Sequence, residues 1–333
     1  MRPRPAFLVT IDTEADDLWA RPRQLTTRNT AALPRFQALC ERYGIRPTYL
    51  ATYEVAVDPV FRDFGLDLLR RGAGEIGMHL HAWTTPPIIP LTDDDLTAQP
   101  YLIEHDTEAM RLKIGTLTRL LEETFGRRPV SHRAGRWALD ARYARLLVEF
   151  GYRVDATVTP HVSWQDHRGA RGGGPDYRGF PSTPYFVDLE DIRRPGASPL
   201  LEVPVTVLPR ARPRPAALER VFAGSRPGRR LLDRYLPAVW WLRPNGRNGG
   251  RLLEIVQRGV DRGVAHLTMV LHSSELAVGQ SRVSRTHEAL ELLYRDLERL
   301  FAAASRSCWP ATLAEFSAAW AGRTAPVGAG AVG

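Results

Sequence analysis

The sequence predicts an α/β fold, a single domain built as a distorted (β/α) barrel with long loop insertions. Three observations lead there. Short apolar runs alternate regularly with longer amphipathic segments, the pattern of a parallel sheet covered by helices. Several of the apolar runs end in Asp, Glu or His, and strand C-termini are where barrels carry their chemistry. The chain has 333 residues, 44% hydrophobic and 25% charged, enough to bury a sizeable core in one barrel.

The elements follow in order. Residues 7–11 form an apolar run suited to a buried strand. Residues 29–43 read as a helix stopped by Gly44, and 47–52 as the next strand. Residues 58–71 are helical, opened by Asp58 and Pro59 as cap and first-turn pair. Residues 75–81 make the third strand, and 104–125 a long amphipathic helix closed by Gly126. Then come 129–132 (strand), 140–150 (helix), 152–157 and 200–207 (strands), 251–262 (helix), 266–272 (strand) and 284–304 (helix). The barrel is expected over 1–320, closed or nearly closed, with 321–333 as a flexible tail.

Two stretches break the alternation. Residues 160–199 contain GARGGGPDYRG, a loop expected near the barrel mouth. Residues 209–250 are rich in Arg and Pro and carry Trp240 and Trp241. They read as a lid or lipid-facing arm or, more simply, as a surface excursion whose tryptophans pack on the body.

The formal charge of +8 is not a nucleic-acid signature. Lys113 is the only lysine among 45 basic residues, and the arginines are dispersed rather than striped with aromatics. The balance suits an anionic substrate better. Cys40 and Cys308 match no metal or redox spacing. No apolar run is long enough to span a bilayer, and the chain enters a strand almost at once. A cytoplasmic address is therefore expected, with membrane-surface contact left open; the oligomeric state is not legible.

Two strand ends hold the most informative residues. In AFLVTIDTE, Asp12 and Glu14 share a face, and in EIGMHLH, so do His79 and His81, because side chains alternate along a strand. Two carboxylates and two imidazoles at strand ends can supply a divalent-metal site with a spare base. His132, Arg133, Asp155 and His272 end other strands, while Asp16 and Asp17 read as loop or cap residues.

In this order the motifs resemble the polysaccharide deacetylase family (NodB homology, carbohydrate esterase family 4). TIDTE stands where that family has its Asp-containing first motif, EIGMHLHAW its histidine motif, SHRAGRW its arginine motif, and MVLHSSEL its late Leu-x-His strand. The usual histidine motif has three residues between its histidines; here only Leu80 intervenes, and Trp83 occupies the usual second position. The resemblance implies a NodB-type barrel and a hydrolase that removes an N-acetyl group from an amino sugar. Glu14, His79 and His81 would hold the metal, Zn²⁺ first, with Co²⁺ or Mn²⁺ as alternatives. Asp12 would be the base, His272 the acid, and Arg133 would orient Asp12. Asp155 is the candidate for the family's fourth motif, with Asp166 and Asp176 as rivals. Trp137 and Trp83 are candidate sugar-contacting aromatics, Trp137 suiting core packing equally well. Glu275 is a lesser candidate for orienting His272. A cytoplasmic setting points to a nucleotide- or lipid-linked sugar precursor. The alternatives are a hydrolase of a non-sugar amide C–N bond and a non-catalytic carbohydrate-binding member.

Overall fold

The computed structural model describes residues 4–210, 215–223, 225, 228, 231–232 and 236–324. The strands are β1 (Ala6–Thr13), β2 (Thr48–Ala51), β3 (Glu75–Leu80), β4 (Ser131–Ala134), β5 (Val154–Asp155), β6 (Tyr185–Phe186), β7 (Leu201–Glu202), β8 (Val207–Pro209), β9 (Val239–Trp241), β10 (His266–His272) and β11 (Trp309–Ala311). The main sheet runs β10-β1-β2-β3-β4-β5-β7-β6, with β11 beside the start of β1. Every neighbour pair on that path is parallel except β6 with β7.

The sheet curls into a half-barrel, and among the described residues no ladder closes it. Single backbone bonds bridge the gap instead: Thr206 N–H donates to the Thr268 carbonyl (3.1 Å) and Val270 N–H to the Leu242 carbonyl (3.2 Å). The expected strand over 200–207 is two pieces. Pro204 has no N–H to give a ladder, so β7 stays in the main sheet and β8 pairs with β9 in a separate ribbon.

Helices α1 (Leu33–Arg42), α2 (Pro59–Arg70), α3 (Thr107–Phe125), α4 (Ala141–Glu149), α5 (Gly249–Arg262), α6 (His287–Ser307) and α7 (Leu313–Thr324) complete the frame. Their starts obey capping chemistry. Asp58, Asp106, Asp140 and Thr286 each accept an amide of the first turn, from Val60, Ala109, Tyr143 and Ala289. This is why α3 begins at Thr107 rather than 104, and α6 at His287 rather than 284. The expected tail overlaps α7 through Thr324; residues 325–333 lie outside the described residues. No helix among the described residues is long and apolar enough to cross a membrane.

The two-residue pleat sorts every strand into an outer and an inner face. Phe7, Val9 and Ile11 of β1 join Met78, Leu80, Met269 and Leu271 in the large core under the helices. Ala6 and Leu8 point inward to a small core with Leu50, Val154, Leu201 and the α7 residues Leu313 and Phe316. So α7 plugs the N-terminal end of the barrel. Half-buried Glu75 fastens it there: the carboxylate accepts from Thr48 Oγ1 (2.9 Å), from Ser131 Oγ and from the Ala314 N–H (3.1 Å) at the start of α7. A carboxylate at a helix N-terminus also meets the favourable end of the dipole.

Glu75→Ala strands these donors in the interior. We expect a loss of at least about 2 kcal/mol in urea unfolding, with early proteolysis within α7. Unchanged stability would show that α7 is held by its apolar face alone.

Candidate metal centre and active-site cleft

With the N-terminal end plugged, the inner face is open only where the strands end. Glu14 follows β1, His79 sits in β3 and His81 follows it, all on the inward register and all buried. Glu14 Oε2 lies 3.9 Å from His79 Nε2 and 3.7 Å from His81 Nε2. One ligand atom from each of the three falls within 4.8 Å of the others. His79 Nδ1 donates to the Arg133 carbonyl (2.9 Å), which leaves Nε2 as the lone pair facing the cluster. Behind His81, the Trp83 ring is stacked at 4.5 Å and 10°. In front, the backbone of Gly135 passes so close that a Cβ there would overlap His81 Cδ2 and the Leu80 carbonyl.

The donor set suits a divalent cation. Glu14 Oε2 and both ring nitrogens of His81 are buried without a hydrogen-bond partner, a costly arrangement that a cation relieves. Burial pushes the Glu14 carboxyl up to about 8, with Asp12 and Glu54 adding to it against His272 and Trp19. Burial likewise brings His79 down to about 4, and takes His81 well below the ordinary imidazole value. Both imidazoles are therefore neutral near pH 7, the form that ligates. One carboxylate and two imidazoles match zinc and also accept cobalt or manganese.

Asp12 belongs to the same face with a different environment. Arg133, from β4, donates through Nη1 to Asp12 Oδ1 (2.6 Å), through Nη2 to Thr10 Oγ1 (2.8 Å) and through Nε to the Ala156 carbonyl (2.8 Å). Burial pushes Asp12 up, but the guanidinium, with His79 and His272, outweighs it and holds the carboxyl below its ordinary value. His272 ends β10 opposite Asp12 in register. Its Nε2 is 3.8 Å from Asp12 Oδ2 and 3.7 Å from Glu14 Oε1. Arg243 Nη2 lies 2.7 Å from His272 Nδ1 and donates to Glu275 Oε1 (2.6 Å), and Glu275 Oε1 itself lies 3.8 Å from that Nδ1.

Beside this cluster opens a cleft of about 380 Å³ that includes Trp19, Tyr101, Arg136, Trp137, Trp164, Arg243 and His272 in its wall. Trp137 is stacked with Trp164 at 6.2 Å and 14°. Arg136 and Trp137 both hold left-handed backbone, at φ 55° and 60°, a strain of roughly 1–2 kcal/mol each for residues with a Cβ. Tyr177 Oη donates to the Trp137 carbonyl (2.6 Å) and helps fix that turn. Trp19 Nε1 donates to Glu14 Oε1 (3.0 Å), joining the cleft wall to the ligand set.

The structure thus gathers Asp12, Glu14, His79, His81, Arg133 and His272 in one place, with Trp137 in the adjoining wall. Two expectations are corrected. Trp83 backs His81 and does not line the cleft. Asp155 points to the outer face, because its neighbours Val154 and Ala156 take the inward register. There it accepts from His132 Nδ1 (2.6 Å) and Thr157 Oγ1 (2.8 Å), while His132 Nε2 meets Tyr143 Oη of α4 (2.8 Å). The rivals do not replace it: Asp166 is exposed and Asp176 pairs with Arg178. Asp16 accepts from the Arg28 and Asn29 amides as a loop cap. In the 209–250 excursion the described tryptophans pack on the body, Trp240 under Arg251 (5.1 Å) and Trp241 against Trp137 (6.0 Å). Residues 211–214, 224, 226–227, 229–230 and 233–235 of it lie outside the described residues.

Sequence reasoning missed Trp19, Tyr101, Arg136, Trp164 and Arg243. Arg136 sits inside SHRAGRW and could have been found beside Trp137. Trp164 and Arg243 lie in the two excursions, with no local pattern to mark them.

A matched pair of variants separates the two faces. Asp155→Ala should cost about 3 kcal/mol of stability by leaving His132 unpaired, with metal content unchanged. Gly135→Ala should lose metal affinity by displacing His81. Metal loss in folded Asp155→Ala, or full metal content in Gly135→Ala, would contradict this placement; atomic spectroscopy of the purified variants reads both.

The sequence matches no family model and no curated protein. Solved structures do resemble it over nearly the whole chain. A candidate polysaccharide deacetylase from Mycobacterium smegmatis aligns with a TM-score of 0.55 at 17% identity, covering 100% of this chain and 96% of that one. A candidate glycoside hydrolase/deacetylase from Parabacteroides distasonis aligns at 0.60 and 14% identity, covering 97% and 73%. An allantoinase aligns at 0.52 and 16% identity, covering 98% and 92%. The chain therefore has the fold of the NodB-type polysaccharide deacetylases.

Proposed function

We propose that this chain is a divalent-cation-dependent hydrolase that removes an N-acetyl group from an amino sugar. The observation that carries the reading is the pairing of an unsatisfied Glu14–His79–His81 donor set with a separately clamped carboxylate, Asp12, on the same face. Glu14, His79 and His81 would hold the cation, which when bound acidifies a water and polarises the acyl oxygen.

The chain's own groups do the rest. Asp12 is ionised by Arg133, and its Oδ2 is not the oxygen that Arg133 engages, so Oδ2 is the base that takes a proton from the attacking water. Thr10 and the Ala156 carbonyl engage the other two Arg133 nitrogens, so the guanidinium has no freedom to leave. His272, protonated on both ring nitrogens with Nδ1–H turned to Glu275 Oε1 (3.8 Å) rather than to Arg243, gives a proton from Nε2 to the departing nitrogen, which leaves poorly as an anion. Burial lowers the His272 value, but Glu14 and Glu275 outweigh burial and Arg243 and leave it above an ordinary imidazole. Water and amide become carboxylate and ammonium. The indoles of Trp19, Trp137 and Trp164 make a wall suited to the C–H face of a sugar, which favours a sugar amide over a small polar one.

Glu14 must release its proton to bind a cation, so affinity should rise with pH up to about 8 and fall below it. The sign reverses for the metal-free chain. Its raised carboxyl means the folded form binds the extra proton between 4.5 and about 8, so apo stability falls as pH rises through that window. Thermal melts with and without zinc at pH 6 and pH 8 should show the larger stabilisation at pH 8. Equal shifts at both values would remove Glu14 from the ligand set.

Asp12→Asn should keep its metal and its substrate affinity while acetate release falls by roughly 10²–10⁴-fold. Retained turnover would exclude Asp12 as the base. Lost metal would make it a ligand instead.

A further inference from the structure

The cleft beside the cluster is more specific than an aromatic wall. Among the described residues three guanidinium groups line it, Arg21, Arg136 and Arg243, and no carboxylate does. Arg243 has its counter-charge in Glu275, which is buried behind it. Among the described residues neither Arg21 nor Arg136 makes an ion pair; the Glu104 carboxylate acts on Arg136 only from beyond contact distance. Arg136 donates instead to two neutral carbonyls, of Gln99 and Arg168, and lies 4.0 Å over the Tyr101 ring. Withdrawing a cation from water without a counter-charge is unfavourable, and here it is done on left-handed backbone. A strained arginine in a cleft wall, with carbonyls but no carboxylate in contact, is suited to hold an anion.

Resting on the amide-hydrolase reading above, we infer that the substrate is an N-acetylated sugar carrying an anionic oxygen group, a phosphate or a sugar carboxylate, which the Arg21–Arg136–Arg243 side of the cleft holds. The placement fixes its geometry. Arg243 touches both His272 and the cleft, so the anion sits on the leaving-nitrogen side of the acyl group. Trp137 and Trp164 offer the apolar face for the ring between them and the cations. A volume of about 380 Å³ is near the small end for ligand pockets, which fits one sugar ring with its charged substituent. Arg21 stands at the exposed rim and contributes attraction rather than shape.

The test compares three probes on the zinc-loaded full chain: N-acetylglucosamine, N-acetylglucosamine 1-phosphate, and N-acetylmuramic acid as the carboxylate arm. Amine release gives kcat/KM, and quenching of tryptophan fluorescence gives binding independently of turnover. At least one charged sugar should exceed the neutral one by about tenfold or more, with the gain shrinking as salt is raised. The arm that gains identifies the anion. Arg21→Asn, chosen because Asn tolerates the φ of 59° there, should raise KM for the charged sugar several-fold more than KM for the neutral one and cut the salt dependence of binding. Equal turnover of charged and neutral sugars would overturn the inference and leave the deacetylase reading standing. Salt-sensitive binding of a charged sugar with no amine release, by protein that holds its metal, would support the anion site and overturn the deacetylase reading. Absence of binding by both charged sugars would overturn the inference.

Discussion

The buried guanidinium of Arg133 is the brace on which the open end of the barrel depends. It has no exposed surface, and a charge so placed is tolerable only when each of its three nitrogens finds an acceptor. Asp12 and Thr10 of β1 answer two of them, and the Ala156 carbonyl after β5 a third. The Arg133 backbone carbonyl meanwhile receives His79 Nδ1 from β3. One residue of β4 thus ties together strands on both sides of it, orients a candidate ligand and sets the charge of the candidate base. The curl of the half-barrel and the chemistry at its mouth are in this sense one constraint.

That brace also explains how two carboxylates only two residues apart acquire different characters. Asp12 faces the guanidinium and stays ionised. Glu14 is equally buried but meets neutral imidazoles, and its carboxyl is pushed up to about 8. Environments that drive neighbouring titratable groups apart are how one site divides its roles: a base ready at neutral pH, and a ligand that yields its proton only to a cation.

Much of this was legible in the sequence because strands encode it with a period of two. Asp12 with Glu14 and His79 with His81 fall on one face by spacing alone, and the strand ends carrying Arg133 and His272 were recognisable from their apolar runs. The same period rejects Asp155 despite its place at a strand end, since Val154 and Ala156 are the residues that suit the inner core. Pro204 similarly announced the break between β7 and β8. Other features carried no local signal. Trp164 and Arg243 reach the cleft from excursions whose course depends on tertiary packing, and Trp83 was read for its type without knowledge that His81 would need a backing ring. Arg136 and Trp137 occupy a strained turn that no propensity predicts.

The central claim is that the inward register of β1 and β3 delivers Glu14, His79 and His81 to one ion. X-ray absorption at the zinc edge of the loaded protein tests it most directly. The account predicts a first shell of nitrogen and oxygen at about 2.0–2.1 Å, with multiple-scattering features of two imidazoles and no sulfur. A shell with sulfur, or with fewer than two imidazoles, would contradict it.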